Sequence, residues 1–142
     1  MKLKSSYFYT LRENAKDEES VSGNLLTRSG MIKKTSSGVY MYLPLGYKVM
    51  KNIEKIVREE MENVNAGELL MPALINEDVY VTSKRRDAFG NDMFSLKDRF
   101  DKPYVLAPTH EELFTIAAQA KVKSYKDLPF SIYQIQDKFR DE

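Results

Sequence analysis

The order of apolar and polar residues divides the chain into short helices and short strands. The clearest pattern lies between Tyr47 and Asn63, where apolar residues recur three and four positions apart and charged residues fill the opposite face. The apolar stripe consists of Met50, Ile53, Val57, Met61 and Val64. This spacing predicts an amphipathic helix that ends before Gly67 and buries the stripe, above all Met50, Ile53, Val57 and Met61.

The chain before this helix predicts one helix and one hairpin. Residues 18–30 have the pattern of a short helix that ends at a glycine, Gly30. Residues 32–43 alternate between apolar and polar positions around the run Ser36-Ser37-Gly38. This arrangement predicts two antiparallel strands joined by a tight turn.

The sequence pattern after this helix predicts mostly strands. Residues 68–72 have the pattern of a strand that ends at a proline, and residues 93–96 and 104–106 predict two strands joined by a charged turn. Residues 111–120 predict a helix, and residues 130–142 predict a long final strand. Helices inserted between antiparallel hairpins indicate the α+β class.

Composition excludes several kinds of site. The 142 residues include 22 basic and 21 acidic side chains, so no global positive field would attract nucleic acid. The sequence has no cysteine, which excludes disulfides, thiolate metal sites and a cysteine nucleophile, and which fits a reducing cytosol. Its single histidine cannot form a histidine cluster for a metal. No apolar run approaches the ~20 residues of a membrane span, so we expect a cytoplasmic protein with no membrane partner.

The run Pro108-Thr109-His110-Glu111-Glu112 opens the predicted helix of residues 111–120. Thr109 followed by Glu112 predicts a capping box, in which the two side chains satisfy orphan N–H groups. Glu111 has no capping duty, and a carboxylate beside a hydroxyl at the positive end of a helix suits a small cationic nitrogen. We expect His110 to face solvent in the first turn.

The predicted final strand has one strongly polar face. That face carries Gln134, Gln136, Lys138, Arg140 and Glu142. An ordinary amphipathic strand between core and solvent explains this pattern, and so does the floor of a ligand site. Arg140 would suit a phosphate in such a site because its planar guanidinium donates two hydrogen bonds at once.

These runs together resemble the bacterial prolyl-tRNA synthetases, which are class II aminoacyl-tRNA synthetases. The ending Phe139-Arg140-Asp141-Glu142 resembles motif 2 of that class, and residues 108–112 resemble the amino-acid loop of the prolyl enzymes. The helix of residues 47–63 with the strand up to Pro72 resembles motif 1.

The resemblance implies a class II catalytic core, an antiparallel sheet with flanking helices, of which this chain is an incomplete N-terminal part. Motif 1 would occupy about residues 47–74, the Thr-x-Glu loop residues 108–112 and the start of motif 2 residues 130–142. The editing insertion and the anticodon-binding domain are not present. We therefore expect a fragment that ends within motif 2 and is inactive alone.

The resemblance also implies a function: ATP-dependent activation of proline to prolyl-adenylate and its transfer to the 3′ end of tRNA(Pro). Thr109 and Glu111 would bind the ring nitrogen of proline. Arg140 would be the catalytic residue, in contact with the amino-acid carboxylate and the ATP α-phosphate, and Glu142 would lie on the nucleotide side. ATP would arrive with Mg²⁺, for which no ligand residue is assigned. The motif 1 helix would form a homodimer.

One segment departs from the pattern of that family. Bacterial prolyl enzymes usually carry Ser-Gly-Arg-Trp where this chain has Ser83-Lys84-Arg85-Arg86. Arg85 is therefore assigned no role, since a plain surface charge run explains it. Two alternatives stay open: another class II synthetase, for threonine, serine or glycine, against which the Thr-His-Glu-Glu run argues, and a non-catalytic synthetase-like domain that binds a partner or tRNA.

Overall fold

The computed structural model describes residues 5–16 and 18–141, which form two compact units that divide at Glu60. The helices are α1 (Val21–Arg28), α2 (Pro44–Asn63), α3 (Asp78–Thr82), α4 (Arg86–Phe89) and α5 (Glu111–Lys121). The strands are β1 (Ile32–Ser36), β2 (Val39–Tyr42), β3 (Ala66–Glu68), β4 (Leu74–Asn76), β5 (Ser95–Lys97), β6 (Pro103–Leu106) and β7 (Ser131–Tyr133). None of the helices in the described part is long and apolar enough to cross a membrane.

The first unit contains the predicted helix and hairpin. Helix α1 begins at Ser20, whose hydroxyl accepts a hydrogen bond from the Gly23 N–H at 3.0 Å. Strands β1 and β2 pair antiparallel, and the turn places Gly38 at φ 68°, a left-handed conformation that glycine adopts without steric cost. Both predictions for this region are confirmed, with a helix shorter than the predicted span of residues 18–30.

Helix α2 begins three residues before its predicted start, at Pro44, because proline has the φ of a first helical residue and needs no N–H partner there. The expected burial of its stripe is wrong in part: Met50 and Met61 are half-buried, whereas Ile53 is 57% and Val57 42% exposed. An amphipathic pattern identifies an apolar face but does not specify what covers it.

The core of the second unit lies beside a three-stranded antiparallel sheet in the order β4-β6-β5. The buried residues of this core are Ile75, Tyr80, Met93, Val105 and Ala107. The predicted hairpin with its charged turn is confirmed as β5 and β6. Helices α3 and α4 lie in residues 76–90, a polar and basic stretch whose pattern predicts no clear element.

Strands β3 and β7 form a separate, parallel pair. Both are three residues long, so the strand predicted at residues 130–142 is too long, and the one predicted at residues 68–72 is misplaced, since it shares only Glu68 with β3. Beyond Tyr133, two backbone hydrogen bonds hold the segment, from the Phe139 N–H to the Ala107 carbonyl at 2.9 Å and from the Asp141 N–H to the Asp92 carbonyl at 3.0 Å, and side chains supply others. The Met71 N–H donates to Gln134 Oε1 at 3.3 Å, and Gln136 Nε2 donates to the Met71 carbonyl at 3.0 Å.

Candidate active site

A buried tyrosine holds the loop that precedes α5. Tyr80 on α3 is fully buried, and its hydroxyl donates to the Thr109 carbonyl at 2.7 Å. Burial, with the neighbouring charges of Glu112 and Glu111, raises the pKa of Tyr80 to about 12. The hydroxyl therefore stays protonated and keeps its donor role at neutral pH.

The sequence led us to expect His110 in solvent, and the structure shows that it is buried. It is 2% exposed, and its Nε2 lies 3.1 Å from the Pro72 carbonyl oxygen, to which it donates. Burial lowers the pKa of His110, and the hydrogen bond to Pro72 partly opposes that shift. The imidazole therefore ties the loop before α5 to the segment that follows β3, a contact across 38 residues that no local pattern reveals.

The predicted capping box is also wrong. His110 occupies the N-cap position of α5 and no side chain caps the helix there. The Glu112 side chain, 6% exposed, instead accepts hydrogen bonds at Oε1 from Ser83 Oγ at 3.0 Å and Arg85 Nη1 at 3.2 Å. These partners precede it by 29 and 27 residues, and they provide the hydrogen bonds that a carboxylate withdrawn from water requires.

Thr109 and Glu111 do lie together. The Thr109 hydroxyl donates to Glu111 Oε2, and both residues line a cavity of about 370 Å³. The other residues of its wall are His110, Phe114, Ile132, Tyr133, Gln134 and Lys138. A hydroxyl and a carboxylate with apolar neighbours such as Phe114 and Ile132 can bind a small molecule that has a cationic nitrogen on an apolar ring or chain.

Two cations lie near the same loop. Arg140 donates from Nε to the Pro108 carbonyl at 3.2 Å, which places this side chain next to the residue that precedes Thr109. Lys138 lines the cavity, and burial lowers its pKa against the opposing charges of Asp137 and Glu111. Of the predicted site residues, Thr109 and Glu111 share one cavity and Arg140 contacts the residue before Thr109, whereas Glu142 lies outside the described residues.

Arg85, to which the sequence assigned no role, lies between the two carboxylates of α5. Its Nη1 is 3.5 Å from Glu111 Oε2 and 3.2 Å from Glu112 Oε1, and its guanidinium lies over the Phe89 ring, 5.1 Å from the centroid. No local signal predicted this role, because two glutamates in the first turn of a helix are already favoured by the positive end of its dipole and need no cation.

The two residues that depart from the family pattern are accommodated differently. Lys84 adopts φ 62°, the left-handed conformation that favours the usual glycine. Arg86, in place of the usual tryptophan, pairs with Glu77 and donates to the Gly90 carbonyl at 3.2 Å and to Ser95 Oγ at 3.0 Å. The loop therefore keeps the backbone of a glycine position, while hydrogen bonds replace the aromatic ring.

Within the described ranges, no group of three or more His, Cys, Asp or Glu side chains is placed to hold a metal ion.

Comparison with solved structures defines the class of the fold. The RNA binding domain of threonyl-tRNA synthetase from Cryptosporidium parvum Iowa II superposes with a TM-score of 0.77 at 21% identity, over 83% of this chain and 30% of that one. Prolyl-tRNA synthetase from Giardia lamblia, solved in complex with prolyl-adenylate, gives 0.70 at 25% identity, over 79% and 24%. The chain has the fold of a class II aminoacyl-tRNA synthetase, as expected.

Sequence comparison narrows this class. The chain is 48% identical to proline–tRNA ligase of Finegoldia magna and 45% identical to that of Lactiplantibacillus plantarum, over all 142 residues in both cases. No family model matches it. The chain spans about a quarter, 25%, of the length of these relatives. It is a relative of the bacterial prolyl-tRNA synthetases, and the resemblance drawn from its motifs is confirmed.

Proposed function

We propose that the protein to which this chain belongs is a proline–tRNA ligase, and that this chain supplies the amino-acid side of its active site. The identity of 45–48% to such ligases across the whole chain supports this proposal. Motif 1 would occupy about residues 47–74, the amino-acid loop residues 108–112 and the start of motif 2 residues 130–142. Proline, ATP with Mg²⁺ and tRNA(Pro) would be its substrates, in the cytosol.

The observation that carries the proposal is the joined pair of Thr109 and Glu111 in the wall of the 370 Å³ cavity. The secondary ammonium of proline has two N–H donors, which a hydroxyl oxygen and a carboxylate can accept. Phe114 and Ile132 provide apolar surface in the same wall for the pyrrolidine ring. The 66% exposure of the Glu111 side chain leaves its carboxylate accessible to such a ligand.

Adenylate formation then needs charge stabilisation rather than a protein nucleophile. A carboxylate oxygen of proline forms a bond to the α-phosphorus of ATP, the bond from that phosphorus to the bridging oxygen breaks, and pyrophosphate leaves. Negative charge builds on the α-phosphate oxygens, and Arg140 would neutralise it. In the second step the ribose hydroxyl of the tRNA 3′ end would attack the prolyl carbonyl, and AMP would leave.

The proposal is tested by ATP–pyrophosphate exchange in the full-length protein. Exchange should depend on proline, and Arg140→Ala should lower kcat/KM by roughly 10²-fold, the scale of removing one preorganised charge donor. Arg140→Lys should not restore the rate, since lysine lacks the planar fork. Arg99→Ala, a change at an exposed arginine of the β5–β6 turn, is the matched control.

Three results would contradict the proposal. Exchange that depends on threonine, serine or glycine instead of proline would reassign the substrate. An Arg140→Lys enzyme close to wild type would make Arg140 an ordinary surface charge. Robust exchange by the 142-residue chain alone would show that the chain is more than one part of an active site.

We further propose that the protein is a homodimer through α2. The support is the apolar face of this helix: Val49 is 47%, Ile53 57% and Ile56 59% exposed. Exposed residues four and three positions apart form one continuous stripe. Light scattering on the full-length protein should report a dimer, and Ile53→Glu should shift it towards monomer, whereas Lys55→Glu on the polar face should not.

A further inference from the structure

Arg85 is held in place through both its backbone and its side chain. Its N–H donates to the Tyr80 carbonyl at 3.0 Å, and its guanidinium lies over the Phe89 ring, 5.1 Å from the centroid. Its Nη1 donates to Oε1 of the buried Glu112 at 3.2 Å. These three contacts restrict the guanidinium to a position beside the first turn of α5.

The same nitrogen also contacts Glu111, the carboxylate that the proposed function gives to the ring nitrogen of proline. Nη1 of Arg85 lies 3.5 Å from Glu111 Oε2, the oxygen that accepts the hydrogen bond of the Thr109 hydroxyl. Oε2 thus has two donors, whereas Oε1 accepts no hydrogen bond from any residue in the described ranges. Two donors on one oxygen orient the carboxylate and leave its other oxygen for a ligand.

Arg85 has two opposite effects on a cationic ligand. The Glu111 side chain is 66% exposed, so without a second donor it would sample several rotamers, and ordering it on binding would lower the affinity. The positive charge of Arg85 would repel the ligand, but Arg85 also faces Glu112 and is itself 41% exposed, so this repulsion is weak. Two carboxylates and one guanidinium still leave one negative formal charge. The orienting effect is therefore the larger of the two.

We propose that Arg85 is a positioning residue of the amino-acid site, which holds the Glu111 carboxylate in the orientation that accepts the ammonium group of proline. Arg85 acts through Glu111 and does not itself touch the substrate. The inference rests on the proposed function, since it requires proline as the ligand of Glu111. It gives Arg85 a role that the sequence pattern alone does not indicate.

The test is a calorimetric titration of the full-length protein with proline and, separately, with ATP. Arg85→Met removes the guanidinium, so the dissociation constant for proline should rise about 5-fold or more, the scale of coupling between residues in contact. The dissociation constant for ATP should not change. Arg86→Met is the matched control and should bind proline as wild type does, because the side chain of this neighbouring arginine bonds to Glu77, Gly90 and Ser95.

A double-mutant cycle distinguishes positioning from a general loss of structure. In a Glu111→Ala background the contact with Arg85 no longer exists, so Arg85→Met should leave the dissociation constant for proline of that background unchanged. If Arg85→Met raises the dissociation constant equally with and without the Glu111 carboxylate, the proposal is overturned, because Arg85 then acts by another route.

Arg85→Lys provides a second variant in case Arg85→Met does not fold. Lysine retains a cation for the buried Glu112, but its shorter side chain has no fork and loses the longer contact with Glu111, so the dissociation constant for proline should rise about 3-fold or more. Wild-type proline affinity in Arg85→Met and Arg85→Lys would overturn the positioning role and leave the ligase proposal intact. A wild-type protein that binds no proline would overturn both.

Discussion

Two neighbouring positions in the first turn of α5 have very different surroundings. Glu111 and Glu112 are identical, consecutive side chains, yet one is 66% and the other 6% exposed. Both carboxylates contact Arg85, but Glu111 also bonds to Thr109 two residues away, whereas Glu112 bonds to Ser83 far back in the chain. The difference teaches that the surroundings of a carboxylate are set by what the fold places opposite it, since one step of about 100° around the helix separates an exposed glutamate from a buried one.

Substitutions of Glu111 and of Glu112 should differ most in their effect on proline affinity. In the full-length protein, Glu111→Gln should weaken proline binding by roughly 10–100-fold, because a charge-assisted hydrogen bond to the ring nitrogen becomes a neutral one. Glu112→Gln should change it by no more than about 3-fold, and neither variant should alter ATP affinity comparably. Calorimetry with proline alone measures this. The reverse order of the two effects would mean that the two carboxylates are assigned the wrong way round.

The ion pair of the buried Glu112 with Arg85 should contribute measurably to the free energy of unfolding. Arg85→Met keeps the stem of the side chain over Phe89 but leaves Glu112 buried without its cation. We expect the free energy of unfolding to fall by about 2 kcal/mol, less than for a fully buried pair because the Arg85 side chain is 41% exposed. Urea denaturation measures the loss. Arg99→Met, at the exposed arginine over Phe100, is the control and should cost less than about 0.5 kcal/mol.

The backbone strain of the loop that carries Arg85 can be reduced without removing the contacts of Arg85 with Glu111 and Glu112. Lys84→Gly should raise the free energy of unfolding by about 0.5–1 kcal/mol, because glycine adopts φ 62° without the cost that a side chain adds there. The gain is limited by the greater freedom of glycine in the unfolded chain. A variant no more stable than wild type would show that other contacts of Lys84 offset its backbone strain.

The smallest effect should be a dependence of stability on pH through His110. Burial lowers its pKa in the folded state, so between that value and the unfolded value near 6.5 the unfolded chain binds more protons. Stability is then fully present above about pH 6.5 and decreases as the pH falls below it. Denaturation between pH 7.5 and 5.5 should show this slope, and His110→Gln should remove it. The chain has no other histidine. If the slope persists in the variant, groups other than histidine cause it.

The features that local pattern predicts are those whose partners are near in sequence. The hairpin around Gly38 and the helix from Glu111 follow from turn chemistry and periodicity. The pairing of Thr109 with Glu111 is equally local. Burial of His110 and the ion pair of Glu112 depend on Pro72 and Arg85, which only the tertiary fold brings close. A capping box is a preference of local sequence, and here the buried Glu112 carboxylate bonds instead to Ser83 and Arg85, which local sequence does not reveal.

The final segment of the chain also has a consequence for how the protein folds. The hydrogen bonds that Met71 makes with Gln134, which accepts, and with Gln136, which donates, and the β3–β7 pairing join positions 63–65 residues apart. Such contacts require closure of a long loop before they add any stability, so they form slowly compared with a hairpin. This segment contributes Ile132, Tyr133, Gln134 and Lys138 to the cavity that contains Thr109. The cavity therefore depends on the closure of a longer loop than the contacts within the core of residues 75–107 require.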